Sequence, residues 1–412
     1  MSRDGAPAAA GGSPAPLWAG RSLALLGIVL VAFNLRTGVA SLSPIVAEVR
    51  ADIPLPPGLI GLLGMLPPLC FAVFGILTPI LAKRFGIEAT LVASLVALVA
   101  GLAGRGLAPD AAWMVVASAV TFAAGGVGNV LLPPLVKRYF PDRIGLVTTV
   151  YVTVMSASTF VPPLVAVPVA DAAGWRTSLG EWALLALVAL VPWIALLLQP
   201  RARADEALPE EAEPGQVRRA LRSPLAWALA TVFAVSAVNA YVMFAWLPAI
   251  LTDVAGTSHL ASGALLSLFA AMGLPAGLVV PVLASRYGKV RLLVGIAVVS
   301  FVLGYGGLLL APATATWLWV ALIGTGPLLF PLALVLINLR SRTHAGSIAL
   351  SGVVQSAGYL VAALAPLGIG LLHEGTGGWT WPLILLLATA VPAAIAGFVV
   401  ARPGYLEDER RA

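Results

Sequence analysis

GILTPILAKRFG, residues 75–86, recurs 202 positions later as GLVVPVLASRYG, residues 277–288. Gly75/Gly277, Pro79/Pro281, Leu81/Leu283, Ala82/Ala284, Arg84/Arg286, Phe85/Tyr287 and Gly86/Gly288 pair without a gap. Each copy closes an apolar run on a basic turn, so the chain reads as two copies of one unit. Pro44 and Pro248, each near the end of the first apolar run of its half, add weaker support.

Outward from these turns, stretches apolar enough to cross about 30 Å of hydrocarbon recur along the chain. Six lie at 22–47, 58–82, 88–108, 111–137, 144–170 and 180–198. Six more lie at 224–252, 260–284, 290–311, 314–338, 347–371 and 379–401. Of the 412 residues, 60% are hydrophobic and 10% charged, against about 25% charged in soluble domains. The expected fold is therefore an all-α membrane protein, with twelve transmembrane helices in two pseudo-symmetric six-helix bundles. Prolines inside the runs, such as Pro67, Pro68, Pro133, Pro134, Pro162 and Pro163, are compatible with membrane helices whose neighbours re-satisfy the freed backbone.

Residues 1–19 are too poor in apolar side chains to bury a core and read as a disordered tail. The bundles occupy 20–198 and 224–401, joined by a polar linker at 199–223 that mixes acids, arginines and three prolines, with a second tail at 402–412. Arg21 and the run 23–33 imitate a secretory signal, but the apolar pattern continues past Asn34 and Arg36. The segment is therefore expected to be retained as the first span.

With the N-terminus placed in the cytoplasm, twenty Lys and Arg fall on the inner side, three (Arg50, Arg105 and Arg176) on the outer side, and Arg36 remains within a span. That bias is the positive-inside pattern and puts both termini in the cytoplasm of a cell (plasma) membrane. The net charge of +6 is thus spread over short loops, and no aromatic-interleaved basic patch suggests nucleic acid as a partner. The partners expected are the lipid bilayer and a small-molecule solute, for a chain acting as a monomer. Trp113, Trp175, Trp182, Trp317, Trp319, Trp379 and Trp381 fall near outer span ends and read as interfacial anchors.

Arg36 sits in the middle of the first run, within Phe33-Asn34-Leu35-Arg36-Thr37. A guanidinium at the bilayer midplane costs about 2.5–3.5 kcal/mol on insertion scales, so it must face protein or a wet cavity. On a straight helical wheel, Ser43, Arg36, Ala40, Phe33, Thr37, Ser41 and Asn34 fill one half, and Val31, Leu35, Val39, Leu42 and Val46 fill the other. The first arc is expected to line a cavity and the second to meet lipid or apolar neighbours. The competing reading is a structural arginine bonded to helix-end carbonyls. All the acids fall in tails, loops or span ends, which leaves Arg36 without an obvious counter-charge. Such a fork attracts an anion or an electron-rich polar group.

Further polar positions lie well inside spans: Asn129, Tyr151, Asn239, Tyr241, Gln355 and Tyr359. Each is either a solute contact or an interhelical hydrogen bond. Lys137 and Arg138 lie at the inner mouth, where topology and gating account for them.

Over nearly its whole length the chain resembles the cyanate-transporter and 2-nitroimidazole-exporter group of the major facilitator superfamily. The motifs carrying the resemblance are Asn34-Leu35-Arg36, the run Gly125-Gly126-Val127-Gly128-Asn129-Val130-Leu131-Leu132-Pro133, and Lys137-Arg138-Tyr139-Phe140-Pro141. The Gly145 to Tyr151 start of span 5, Gly174-Trp175-Arg176, and Tyr241 with Ala245-Trp246-Leu247-Pro248 complete them. The resemblance implies two halves that alternate access to a central site, with Arg84, Gly86, Arg286 and Gly288 in the gating loops. The superfamily loop normally carries an acid before its arginine (D-R-x-G), where this chain has Lys83 and Ser285. The lock between states is therefore absent or built differently. Thr37 replaces a common proline, and Ser236-Ala237 a common Gln-Ser.

These readings converge on a secondary active or facilitative transporter of a small anionic or polar solute, a cyanate-like or organic anion, working around Arg36. The resemblance equally allows an exporter of neutral polar aromatics such as nitroimidazoles. A membrane receptor using the same fold is the third reading. Enzyme chemistry finds no support: no acid pair lies inside the spans, and Cys70, His259, His344 and His373 are dispersed. No cofactor or metal is expected, and no G-x-x-x-x-G-K-[ST] stretch suggests ATP as a driver. The histidines lie at span ends or in loops, so a midplane proton relay is not expected either.

Overall fold

The computed structural model describes residues 21–198 and 214–408. The expected tail at 1–19 and linker residues 199–213 lie outside the described residues, as do 409–412. Twelve helices are long and apolar enough to cross a membrane. Spans 1 to 6 are Ser22–Asp52, Pro57–Phe85, Ile87–Gly106, Ala111–Tyr139, Ile144–Ala173 and Trp175–Leu197. Spans 7 to 12 are Pro224–Ala255, His259–Ser285, Val290–Leu310, Thr316–Leu339, Ala345–Thr376 and Thr380–Val400. Because the count is even, span 1 starts and span 12 ends on one face, called here the terminal face; the other is the distal face.

Polar residues set several helix starts. Asp110 accepts from the Trp113 amide, Ser223 from Ala226 and Thr343 from Gly346, each satisfying an orphan donor of a first turn. Prolines set the breaks. Helical geometry stops at Ala40, Ala271 and Ala388, each four residues before Pro44, Pro275 or Pro392. A proline ring clashes with the carbonyl four residues back and offers it no N–H. The repeat is not exact here: span 7 stays α-helical through Pro248, whereas span 1 tightens to a 3-10 turn at Ser43–Ile45.

The repeated turns match in backbone as well as in sequence. Gly86 has φ 87° and Gly288 φ 61°, conformations that only glycine adopts freely. Arg84 lies over the Phe85 ring and Arg286 over the Tyr287 ring, with guanidinium-to-centroid distances of 5.3 and 5.8 Å. A second repeated device sits at the distal face. The Trp175 indole donates to Asp52 at 2.9 Å, and the Trp379 indole donates to Asp253 at 2.8 Å. In each half the end of its first span is thus tied to the start of its sixth. These two tryptophans are buried and hold helices together, unlike the interfacial anchors expected; Trp182 is buried too, while Trp113, Trp317 and Trp381 are exposed.

The halves meet along spans 2 and 11 in their distal portions. Gly61 and Gly64 make the approach possible: a Cβ on Gly61 would stand 2.8 Å from the Leu367 Cα, and one on Gly64 2.8 Å from the Ala245 Cβ. Small residues permit this backbone contact, and dispersion across it favours association. Gly263 of span 8 fits against the Pro163 carbonyl of span 5 in the same way. Span 8 packs on span 5 mainly through its distal portion, His259–Ala271, and much less through its terminal portion, Gly273–Ser285, so these two spans are closer distally than terminally.

Two polar segments are more ordered than their composition implies. The end of the expected linker forms a helix, Pro214–Leu221, packed on span 11. The start of the expected C-terminal tail docks: the Leu406 amide donates to the Arg340 carbonyl, and Glu407 accepts from Ser341, the Arg342 amide and Thr343.

Candidate functional site

Arg36 stands at the boundary between the halves. Its Nη1 donates to the Tyr241 hydroxyl of span 7 at 3.2 Å, and its guanidinium lies 5.1 Å from the centroid of Phe71 in span 2. Tyr359 of span 11 stands beside Tyr241, with ring centroids 6.5 Å apart, and its hydroxyl is close to the same guanidinium. Among the described residues no carboxylate lies within 4.0 Å of Arg36. A half-buried cation that donates to one phenol, with a second phenol and a ring face beside it, keeps most of its attraction for an anion. The cation–π contact contributes about 0.5–2 kcal/mol, and the phenol bond about 1.5–3 kcal/mol.

The rest of the expected polar arc does not gather around it. The Asn34 amide donates to the Leu30 carbonyl at 2.7 Å and the Leu185 carbonyl at 3.4 Å, toward span 6. Thr37, fully buried, donates to the Asn34 carbonyl. Phe33 stacks on Trp182 of span 6. Conversely, Val39, Leu42 and Val46, from the arc read as apolar, line a cavity between the halves together with Ser43. Val31 and Leu35 pack where Gly128 leaves room on span 4. Only Arg36 and Ser43 of the polar arc reach this boundary.

The other expected positions divide. Asn239 is wholly buried in the C-terminal half. It donates to Val235 and Thr389 and accepts from the Tyr305 hydroxyl at 2.5 Å, which joins spans 7, 9 and 12. That satisfied network leaves little for a solute. Gln355 donates to Ser351 on its own helix. Asn129 and Tyr151 are half-buried in spans 4 and 5. Lys137 is exposed on the terminal face, as are Arg84, Arg286 and Gly288; Gly86 is half-buried. Arg138 pairs with Glu88 at 3.2 Å, and Tyr139 donates to the same carboxylate at 2.9 Å. An acid does operate beside the span 2–span 3 turn, therefore, but it comes from two residues after Gly86.

Arg105, counted above on the outer side, is 1% exposed, in the last turn of span 3 at its distal end, so it is enclosed and not solvated. Its Nη1 donates to the Gly38 carbonyl of span 1 at 2.8 Å, and its guanidinium lies 5.8 Å from the Phe122 centroid. Gly38 belongs to the final α-helical turn of span 1, whose carbonyls run out of partners. The signal that could have found it is its glycine setting. Gly101 is pressed against Thr121 and Gly106 against Gly180, which brings spans 4 and 6 over the arginine. Arg105 lines the same inter-half cavity as Ser43, Ser118, Phe122, Tyr241 and Phe244.

Twelve apolar helices in two repeats, meeting around a half-buried cation that no described carboxylate neutralises, define a polytopic membrane protein built as two bundles around a central boundary. The chain belongs to the Major Facilitator Superfamily, whose family model matches residues 26–366. It is 34% identical over 386 residues to the uncharacterized transporter YycB of Bacillus subtilis, covering 93% of this chain and 94% of that one. It is 32% identical over 385 residues to the 2-nitroimidazole transporter of Escherichia coli, covering 93% and 96%. Identity to the Escherichia coli cyanate transport protein CynX is 26% over 359 residues, covering 86% and 91%. The fold matches the crystal structure of a bacterial homologue of the human lysosomal transporter Spinster, inward-facing and unoccupied. That match has a TM-score of 0.72 at 16% identity, covering 95% of this chain and 98% of that one. The protein is a multi-pass transporter of small solutes and not an enzyme.

Proposed function

We propose that the chain carries a small anion, cyanate-like or a small organic anion, by rocking of its two six-helix halves around Arg36. The observation that carries this reading is the Arg36 guanidinium itself, shared between the halves through Tyr241 and unmatched by any described carboxylate. An anion entering from the less closely packed side meets a cation it can neutralise in low dielectric, where pairing is strong. The Lys and Arg distribution supports a cytoplasmic terminal face, and in this reading the less closely packed side opens inward. Asn129, Tyr151 and Gln355 are kept as secondary contacts in this reading, and Tyr359 as a primary one.

A second reading has one observation in its favour. Phe71, Tyr241 and Tyr359 surround Arg36 with ring faces and edges, a setting suited to a flat nitro-aromatic whose oxygens accept from the guanidinium. The relative named a 2-nitroimidazole transporter agrees with it. Proteoliposomes loaded with cyanate, a small carboxylate or 2-nitroimidazole separate the two. Anion flux lost in Arg36→Ala supports the first reading, and flux of the neutral aromatic alone supports the second. Solute binding with no flux of either would make the chain a receptor.

A further inference from the structure

We propose that Arg105, Ser43 and Ser118 form a second anion station on the distal side of Arg36, so that a solute crosses between two guanidinium groups. This rests on the anion-transport reading above and deepens it. Capping the Gly38 carbonyl engages Nη1 of Arg105 only. Among the described residues its buried Nε has no partner, and neither does the hydroxyl of Ser43 or of Ser118. Buried donors left open in this way are expensive and rare in folded proteins.

All three side chains line one cavity of about 30 Å³. That volume exceeds what a single water needs by this measure, roughly 10–15 Å³, and it restricts an occupant to a few atoms. Among the described residues no carboxylate pairs with Arg105. The donors are a cation and two hydroxyls, a set that suits a small anion.

The station also lies on the route. Gly38 is two residues beyond Arg36, a rise of about 3 Å along the helix. Tyr241, which accepts from Arg36, lines the Arg105 cavity as well. Gly64 and Ala245, which touch at the distal seam, are part of the same lining. Parting that seam would open the cavity to the distal side, which makes Arg105 the first cation within the spans met from there and Arg36 the first within the spans met from the terminal side.

The test is calorimetric titration of the purified full-length protein with sodium cyanate and with sodium nitrate. Four variants accompany the native chain: Arg36→Gln, Arg105→Gln, Ser43→Ala with Ser118→Ala, and the two arginine changes combined. Two binding events are expected in the native protein, one in each of the first two variants and none in the last. The serine pair, which keeps the Gly38 cap, should weaken the second event about 10-fold, as expected for loss of hydrogen bonds to a charged ligand. A single event in the native chain, unchanged by the serine pair, would overturn the second station while leaving Arg36 transport intact. No binding of either anion by the native protein would remove the anion-transport reading, and this inference with it.

Discussion

Arg36 in span 1 and Tyr241 in span 7 are joined by a 3.2 Å hydrogen bond that crosses the boundary between the halves. Arg36→Ala is expected to abolish solute flux in proteoliposomes without loss of expression or insertion, since among the described residues the cation contacts phenols and a ring face and no structural carbonyl. Arg36→Lys should retain little, because a point charge cannot reproduce the planar fork. Tyr241→Phe should weaken apparent affinity by roughly 10-fold, in keeping with one charge-assisted hydrogen bond. Wild-type flux of every solute in Arg36→Ala would reject the assignment.

The distal seam makes a separate prediction. A methyl at Gly61 would meet the Leu367 backbone at 2.8 Å, and backbone cannot swing aside as a side chain can. Gly61→Ala should therefore shift the resting population away from the distally closed state. Spin labels on the distal ends of spans 2 and 11 would report longer separations, and an unchanged distance distribution would show that the seam tolerates the methyl.

Gly86 and Gly288 invite a paired comparison. Gly86 combines φ 87° with ψ 156°, a region essentially closed to other residues, whereas Gly288 has φ 61° in the left-handed neighbourhood. Gly86→Ala should lower thermal stability by about 1–3 kcal/mol and Gly288→Asn by much less, because Asn tolerates left-handed backbone. Detergent-solubilised melting curves would decide the order.

Outside the spans, Asp142 is held at about 2, chiefly by the hydrogen bond from Arg21 at 2.6 Å. Its folded value lies below the ordinary carboxylate value of 3.8. The stabilisation is therefore complete above that ordinary value and is lost as pH falls toward about 2. Asp142→Asn should flatten this acid limb of a stability-against-pH curve and leave the neutral region little changed, the pair being exposed. An identical acid limb in the variant would place the acid sensitivity elsewhere.

Hydropathy made the twelve spans legible, since the bilayer demands long apolar helices, and the turn 75–86, copied with its glycine at 277–288, made the duplication legible. Arg36 was legible for the same reason: a charge in mid-run has few tolerable surroundings. Asn34 and Thr37 were misjudged because a straight wheel gives angles around one helix and says nothing of which neighbour occupies each direction. Span 6 turned out to be the neighbour. Asn239 could not be separated from a solute contact without knowing that Tyr305 and Thr389 fold onto it. Arg105 sat at a span end, where a charge is usually solvated. Only the packing of Gly101 and Gly106 against their neighbours reveals that it is enclosed.

The paired indole–carboxylate ties, Trp175 to Asp52 and Trp379 to Asp253, have a mechanical implication. Each fastens two helices of one half and neither joins the halves, so bending within a half is resisted and, in the rocking proposed above, pivoting of one half against the other is left free. Severing one tie should therefore soften a single arm and blur its stroke, and the opposite arm should keep its stiffness.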